Sequence, residues 1–276
     1  MRRIHLLQTL FILPVLMLCN DVTAATSFKS GERITYNAYF NIGFVWMHAA
    51  RVDFTVRNGN YNGRPSYHFV AAGRTLNTFA RFYQVYDTLF SYADNQTLYP
   101  HFYQRVAHEN KYWAQDDFYF DQVAPQSTIV RTHCYRRNKD VKKQTLNLKG
   151  EVTDLVSALY RLRERDFTTL QSGQTIPFSI VYDDDGQKFD LNLRYMGKET
   201  ITLKNGDRYR CIKLRPKLIK GKVFQSEDAM TVWITDDENH IPVYVEAKIR
   251  VGSIRAYLAS TSGLAHSNTA YLGKKK

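Results

Sequence analysis

The chain has 276 residues, a formal net charge of +12, 44% hydrophobic residues and 14% aromatic residues. That hydrophobic share can offset the entropy of ordering a chain, which excludes intrinsic disorder. Only 14 Gly and 7 Pro exclude a collagenous or low-complexity chain, and 3 Cys exclude a disulfide-framed miniprotein.

The first segment reads as a cleaved secretory signal, residues 1–24. Arg2 and Arg3 form a positive start, Leu6 to Cys19 is mostly apolar, and Val22-Thr23-Ala24 places small residues before a cut after Ala24. The apolar run is too short for a membrane span of about 20 residues, and Pro14 interrupts it. Leu18 before Cys19 argues against a lipoprotein signal. No later stretch is long and apolar enough for a transmembrane helix. Residues 25–276 are therefore expected as a single exported domain, periplasmic or otherwise secreted. Signal removal takes away Arg2, Arg3 and Asp21, so the chain stays basic.

Strand signals follow. Tyr36, Ala38 and Phe40 share one face, and Phe44 to Met47 is an apolar run. Asn58-Gly59-Asn60 and Asn62-Gly63 are turn signals. A short helical turn is expected over Leu76–Tyr83. Aromatics then crowd together, from Phe79, Phe82, Tyr83, Tyr86 and Phe90 to Tyr103 and Trp113. These seven are the candidate lining of an apolar pocket. Arg131–Lys149 is basic, and Arg136, Arg137, Lys142 and Lys143 are its candidate surface charges. In an exported protein such charge suits anionic lipid or an acidic glycan better than nucleic acid; a solvated hairpin is the plainer reading.

Val152–Phe167 carries the helical period. Val152, Leu155, Val156, Leu159 and Leu162 form a stripe, and Thr153 or Asp154 is the N-cap. Arg161, Arg163 and Arg165 suit the negative end of that helix. Beyond it, period-two alternation returns at Phe189–Tyr195, Met230–Ile234 and Val243–Val251, with turn signals at Asp184-Asp185-Gly186, Asn205-Gly206-Asp207 and Asp236–Asn239. The expected fold is mainly β: an antiparallel open barrel or half-barrel, or a two-lobed β-sandwich, of about a dozen strands with one inserted amphipathic helix.

Catalytic motifs are missing. There is no H-E-x-x-H, no G-x-S-x-G and no phosphate-binding glycine loop. Asp183-Asp184-Asp185-Gly186 lacks the closing Glu of a calcium loop and reads as a turn. No metal site and no cofactor is expected. Cys134 and Cys211, left after signal removal, could bridge in an oxidising compartment or stay buried apart.

Ordered motifs carry a resemblance. Gly31-Glu32-Arg33-Ile34-Thr35-Tyr36 opens the domain, and Asp154-Leu155-Val156-Ser157-Ala158-Leu159-Tyr160 stands in the middle. Tyr195-Met196-Gly197-Lys198, Tyr209-Arg210-Cys211-Ile212, Val232-Trp233-Ile234-Thr235-Asp236 and Gly252-Ser253-Ile254 follow. Over roughly 30–259 the set resembles a bacterial family of exported proteins catalogued as a domain of unknown function. That family is all-β and periplasm-facing, and its architecture is similar to the half-barrel of lipoprotein carriers such as LolA and LolB. The resemblance implies an apolar concavity for acyl chains and supplies no catalytic residues. The leading expectation is a non-enzymatic periplasmic protein that binds a hydrophobic or amphipathic ligand, lipid or lipoprotein, in a concave sheet. An envelope assembly factor docking a protein partner and an enzyme acting on envelope glycans are the alternatives.

Overall fold

A computed structural model describes residues 27–42, 44–81, 83–124, 127–181, 187–217, 226–249 and 252–275. The signal segment, Phe82 and the Asp183–Gly186 turn lie outside the described residues.

One antiparallel sheet makes up the body. Its first half comprises β1 (Arg33–Ile42), β2 (Val45–Tyr61), β3 (Arg64–Thr75), β4 (Val85–Asp94), β5 (Pro100–Glu109), β6 (Tyr112–Ala124), β7 (Ser127–Arg136) and β8 (Lys142–Lys149). Helix α1 (Asn77–Ala80) sits between β3 and β4, and α2 (Leu155–Arg163) follows β8. The second half comprises β9 (Thr175–Ile180), β10 (Phe189–Thr202), β11 (Asp207–Pro216), β12 (Met230–Thr235), β13 (Pro242–Lys248), β14 (Ser253–Ser262) and β15 (Tyr271–Lys274). Each half is a meander of sequential neighbours, as short turns require. The halves join where β1 pairs β14, so β8 and β9 become the two ends of the strand order, while β15 pairs β11.

The ends curl toward each other without pairing as strands. Thr153, just after β8, donates its N–H to Ser179 on β9, and Val181 donates back to Thr153. Lys188 Nζ donates to the Lys149 carbonyl at 2.9 Å. Of the two architectures the alternation allows, the result is the open barrel, in one sheet rather than the two lobes of a sandwich.

The helix is shorter than its apolar stripe, because Asp154 caps it. Its carboxylate accepts from the N–H groups of Val156 (2.7 Å) and Ser157 (2.9 Å), two donors that a helix start leaves unpaired. Val152 and Phe167 are still buried, but in the flanking chain. The expected turn over Leu76–Tyr83 contracts to α1.

Strand register decides what fills the barrel. On one row across the inner face, Val56, Phe69, Ser91, Tyr103, Phe118 and Thr132 are successive partners from β2 to β7. Phe69, Tyr103 and Phe118 are fully buried there. Tyr160 of α2 stacks on Phe69 at 3.9 Å between ring centroids, and Phe28 packs edge-on to both. Helix and large rings together plug this level of the barrel. In the second half, Phe167 and Leu162 cover Ile212, Leu214 and Ile234.

A further set of aromatics stands on the opposite face. Trp233, Tyr244 and Tyr257 are direct cross-strand partners on β12, β13 and β14, stacked at 4.8 Å per step. His68 and Tyr92 stack likewise at 4.5 Å, and Phe102 packs on Tyr119 at 5.1 Å. Such ladders stabilise sheets by fractions of a kcal/mol per pair, about 0.2–1. Cys134 on β7 and Cys211 on β11 are buried thiols on strands that no pairing joins; they do not form the disulfide considered from composition.

Candidate functional site

Two rows beyond the plug, the inner face turns small. Val52, Gly73, Asp87, Ala107, Ala114 and Arg136 are successive partners from β2 to β7. Between that row and the plug run Phe54, Ala71, Leu89, Arg105 and Asp116. A Cβ placed on Gly73 would meet only Val52 Cγ2, at 3.8 Å. Where Phe69 and Tyr103 fill the barrel, Gly73, Ala107 and Ala114 leave it open.

The outcome is a cleft of about 630 Å³ between this face and α2. Val52, Phe54, Ala71 and Leu89 floor it, and Leu155, Val156 and Leu159 of α2 wall it. Such a size lies within the range that encloses small ligands, about 300–1,000 Å³. Tyr112 and Asp87 stand toward its mouth with Arg105, Asp116 and Arg136.

The polar side is a chain of ion pairs. Buried Asp116 accepts from Arg136 Nη1 at 2.6 Å and from Arg105 Nη1 at 3.4 Å. Arg105 reaches on to Glu109 at 3.4 Å and to Asp87 at 4.0 Å. Glu109 accepts from the Tyr83 hydroxyl at 2.8 Å. Burial pushes the Asp87 carboxyl above its ordinary pKa, and the nearby Glu109 charge adds to that; the Arg105 charge and the His108 N–H pull the other way without prevailing. The arrangement can hold a polar head at the mouth while an apolar tail lies on the floor.

A second concavity, of about 670 Å³, lies on the opposite sheet face. Tyr39, Trp46, Trp233, Tyr244 and Tyr257 line it beneath the β10–β11 turn. Three cations sit over its rings: Lys204 on Tyr39 at 4.6 Å, Lys213 on Trp233 at 5.3 Å and Arg255 on Trp46 at 4.3 Å. Its rings are already engaged by these cations and by one another, so it offers less free apolar surface than the cleft.

Of the seven aromatics chosen from sequence, Phe82 lies outside the described residues, and the other six do not converge. Phe79 on α1 packs edge-on to Phe40 at 5.9 Å. Tyr86 and Trp113 share an outward row through His108, and Phe90 faces outward against His68. Tyr83 approaches the mouth through Glu109. Tyr103 belongs to the plug, and its buried hydroxyl has no hydrogen-bond partner among the described residues. Of the basic set, Arg136 lines the cleft, whereas Arg137, Lys142 and Lys143 are exposed on the β7–β8 hairpin. The residues that make the cleft, Val52, Gly73, Ala71 and Leu89, carry no sequence motif. Only the register of the strands, a non-local property, brings them together.

A family model for proteins of unknown function, DUF3108, matches residues 35–259. The chain belongs to the DUF3108 family. None of the curated proteins matches it. Among solved structures, this DUF3108 chain is similar to the crystal structure of a beta-barrel-like protein of the domain of unknown function DUF1849 from Brucella abortus. The TM-score is 0.53 and the identity 11%, covering 84% of this chain and 97% of the other. At that identity the likeness is one of fold, and the beta-barrel-like description agrees with the open barrel. No helix among the described residues of the DUF3108 chain is long and apolar enough to cross a membrane.

Proposed function

We propose that this protein is a non-enzymatic binder of a hydrophobic or amphipathic ligand, a lipid or the acyl part of a lipoprotein. The ligand occupies the cleft between α2 and the β2–β7 face. The observation that carries the reading is the row Val52–Gly73–Asp87, where small and apolar residues open a floor of acyl-chain character beside fixed ion pairs. Apolar burial supplies the binding energy, at about 25 cal/mol per Å² removed from water. The Arg105–Asp116–Arg136 chain orients the polar end. The resemblance to half-barrel carriers is in keeping with this assignment, as is delivery to the periplasm by residues 1–24.

Native mass spectrometry of protein purified from its producing cell tests it. Adducts in the mass range of one lipid, released on acidified organic extraction, are expected. A clean mass of the chain alone, unchanged after incubation with phospholipid or fatty acid, would refute the proposal.

A further inference from the structure

The connections β1–β2, β3–β4, β5–β6, β7–β8 and β13–β14 all lie at one end of the antiparallel sheet. Large apolar side chains are exposed there with unusual density: Phe44, Val45 and Trp46 on the first hairpin, Tyr86, Tyr112 and Val141 on its neighbours. Phe44 is as exposed as a side chain in an extended peptide, at 105%. On its β3 side the first hairpin also overhangs, while β14 runs beside β1 as far as Asn41. Thr75 ends β3 opposite Ala50 and the Leu76 N–H still reaches the Ala49 carbonyl, so the four residues Val45–His48 continue past that edge, roughly 13 Å at 3.3 Å per residue.

This apolar tip is ringed by positive charge. Arg74, Arg81, Lys111, Arg137, Lys139 and Lys143 are exposed at the same end. The acids there among the described residues are mostly held by cations: Asp87 and Glu109 by Arg105 at the cleft mouth, Asp190 by Lys188 at 2.9 Å and Glu227 by Lys217 at 3.0 Å, beside exposed Asp140 and Asp228. The opposite end places Asp236, Asp237 and Glu238 in the β12–β13 turn. The cleft mouth, at Tyr112, opens on the basic, apolar end. A protruding aromatic tip within a cationic ring complements a bilayer that carries negative headgroups.

We infer that this end of the barrel docks on an anionic lipid surface. Phe44 and Val45 enter between the headgroups, and Arg137, Lys139 and their neighbours meet the phosphates. The inference goes beyond ligand binding and does not need it: the surface would dock whether or not the cleft is filled. Docking would set the mouth of the cleft against the membrane.

Co-sedimentation with vesicles of phosphatidylglycerol and phosphatidylcholine, against phosphatidylcholine alone, tests the inference. The protein is expected to sediment with the anionic vesicles and to be released by salt. Phe44→Ser, at a fully exposed position that cannot disturb the fold, is expected to weaken partition about tenfold, from the loss of one buried ring. The pair Arg137→Glu and Lys139→Glu is expected to abolish the preference for phosphatidylglycerol. Gly73→Leu, which fills the cleft, is expected to sediment like the parent. The inference is overturned if the parent protein stays in the supernatant, or if Phe44→Ser binds vesicles as the parent does. Self-association through the tip in place of vesicle binding, read by analytical ultracentrifugation, would overturn it in favour of a second copy of the chain. Vesicle binding by a protein whose native mass never carries lipid would uphold docking while removing the ligand proposal.

Discussion

Glu32 and Arg163, 131 positions apart, form a buried two-pronged ion pair, with Nη1 donating to Oε1 at 2.6 Å and Nη2 to Oε2 at 2.8 Å. Arg163 also donates Nε to the Asn239 carbonyl (3.0 Å) and Nη2 to the Ser27 carbonyl (2.9 Å). Its own carbonyl lies 2.6 Å from His240 Nδ1. One side chain thus ties the start of the domain, the end of α2 and the β12–β13 turn. A buried pair is costly to desolvate, and its value lies in fixing these three segments relative to one another.

Breaking that pair is expected to be severe. Glu32→Ala leaves a buried guanidinium without its carboxylate and should cost about 3–5 kcal/mol in urea unfolding. Combining it with Arg163→Met should cost less than the sum of the two single changes, since the second change removes the stranded charge. A loss below about 1 kcal/mol for Glu32→Ala would contradict the clamp.

The two thiols are expected to be silent in the folded protein. Burial pushes the Cys211 thiol up to about 12, so almost no thiolate is available for alkylation near neutral pH. Cys134 is equally buried. A thiol reagent should label neither until denaturant is added, and then label both. Fast labelling of either under native conditions, or a mass two protons light from a disulfide, would count against the packing described.

Asp87 gives a pH-dependent prediction. Its carboxyl is raised in the folded state, chiefly by burial, so folding disfavours its charged form. The resulting penalty is fully present above the folded pKa and disappears as pH falls through it to the unfolded value near 3.8. Asp87→Asn keeps an acceptor for the His108 N–H and removes that penalty. The variant should therefore melt above the parent at pH 7, with the difference shrinking as the pH is lowered. A variant that melts below the parent at pH 7 and approaches it in acid would reverse the sign and refute the assignment.

Much of this fold is legible in the sequence, because alternation and helical period are local properties. Phe189–Tyr195 and the stripe through Leu155, Val156 and Leu159 announce their elements directly, and Thr153-Asp154 narrows the helix start to two residues, of which Asp154 is the cap. The cleft is not local. Gly73, Ala107 and Ala114 come together only through the register of four strands, and a slip of one residue would send them outward. Aromatic crowding misleads for the same reason. Phe102 and Tyr103 are adjacent in sequence, yet period two sends Tyr103 into the plug and Phe102 to the outer ladder. Arg163 looks like a helix-end charge for water, and only tertiary structure supplies the carboxylate and carbonyls that bury it.

The central claim is that the cleft above the plug holds an apolar ligand, and Gly73 is the position that tests it most directly. An apolar fluorophore such as N-phenyl-1-naphthylamine should brighten on binding the delipidated protein and be displaced by a fatty acid. Gly73→Leu, which sets a side chain where only Val52 now approaches, should reduce that binding at least about tenfold, through lost apolar contact area, while the protein unfolds at a similar urea concentration. Equal fluorophore binding by the folded Gly73→Leu variant, or no displaceable binding by the parent, would contradict the account.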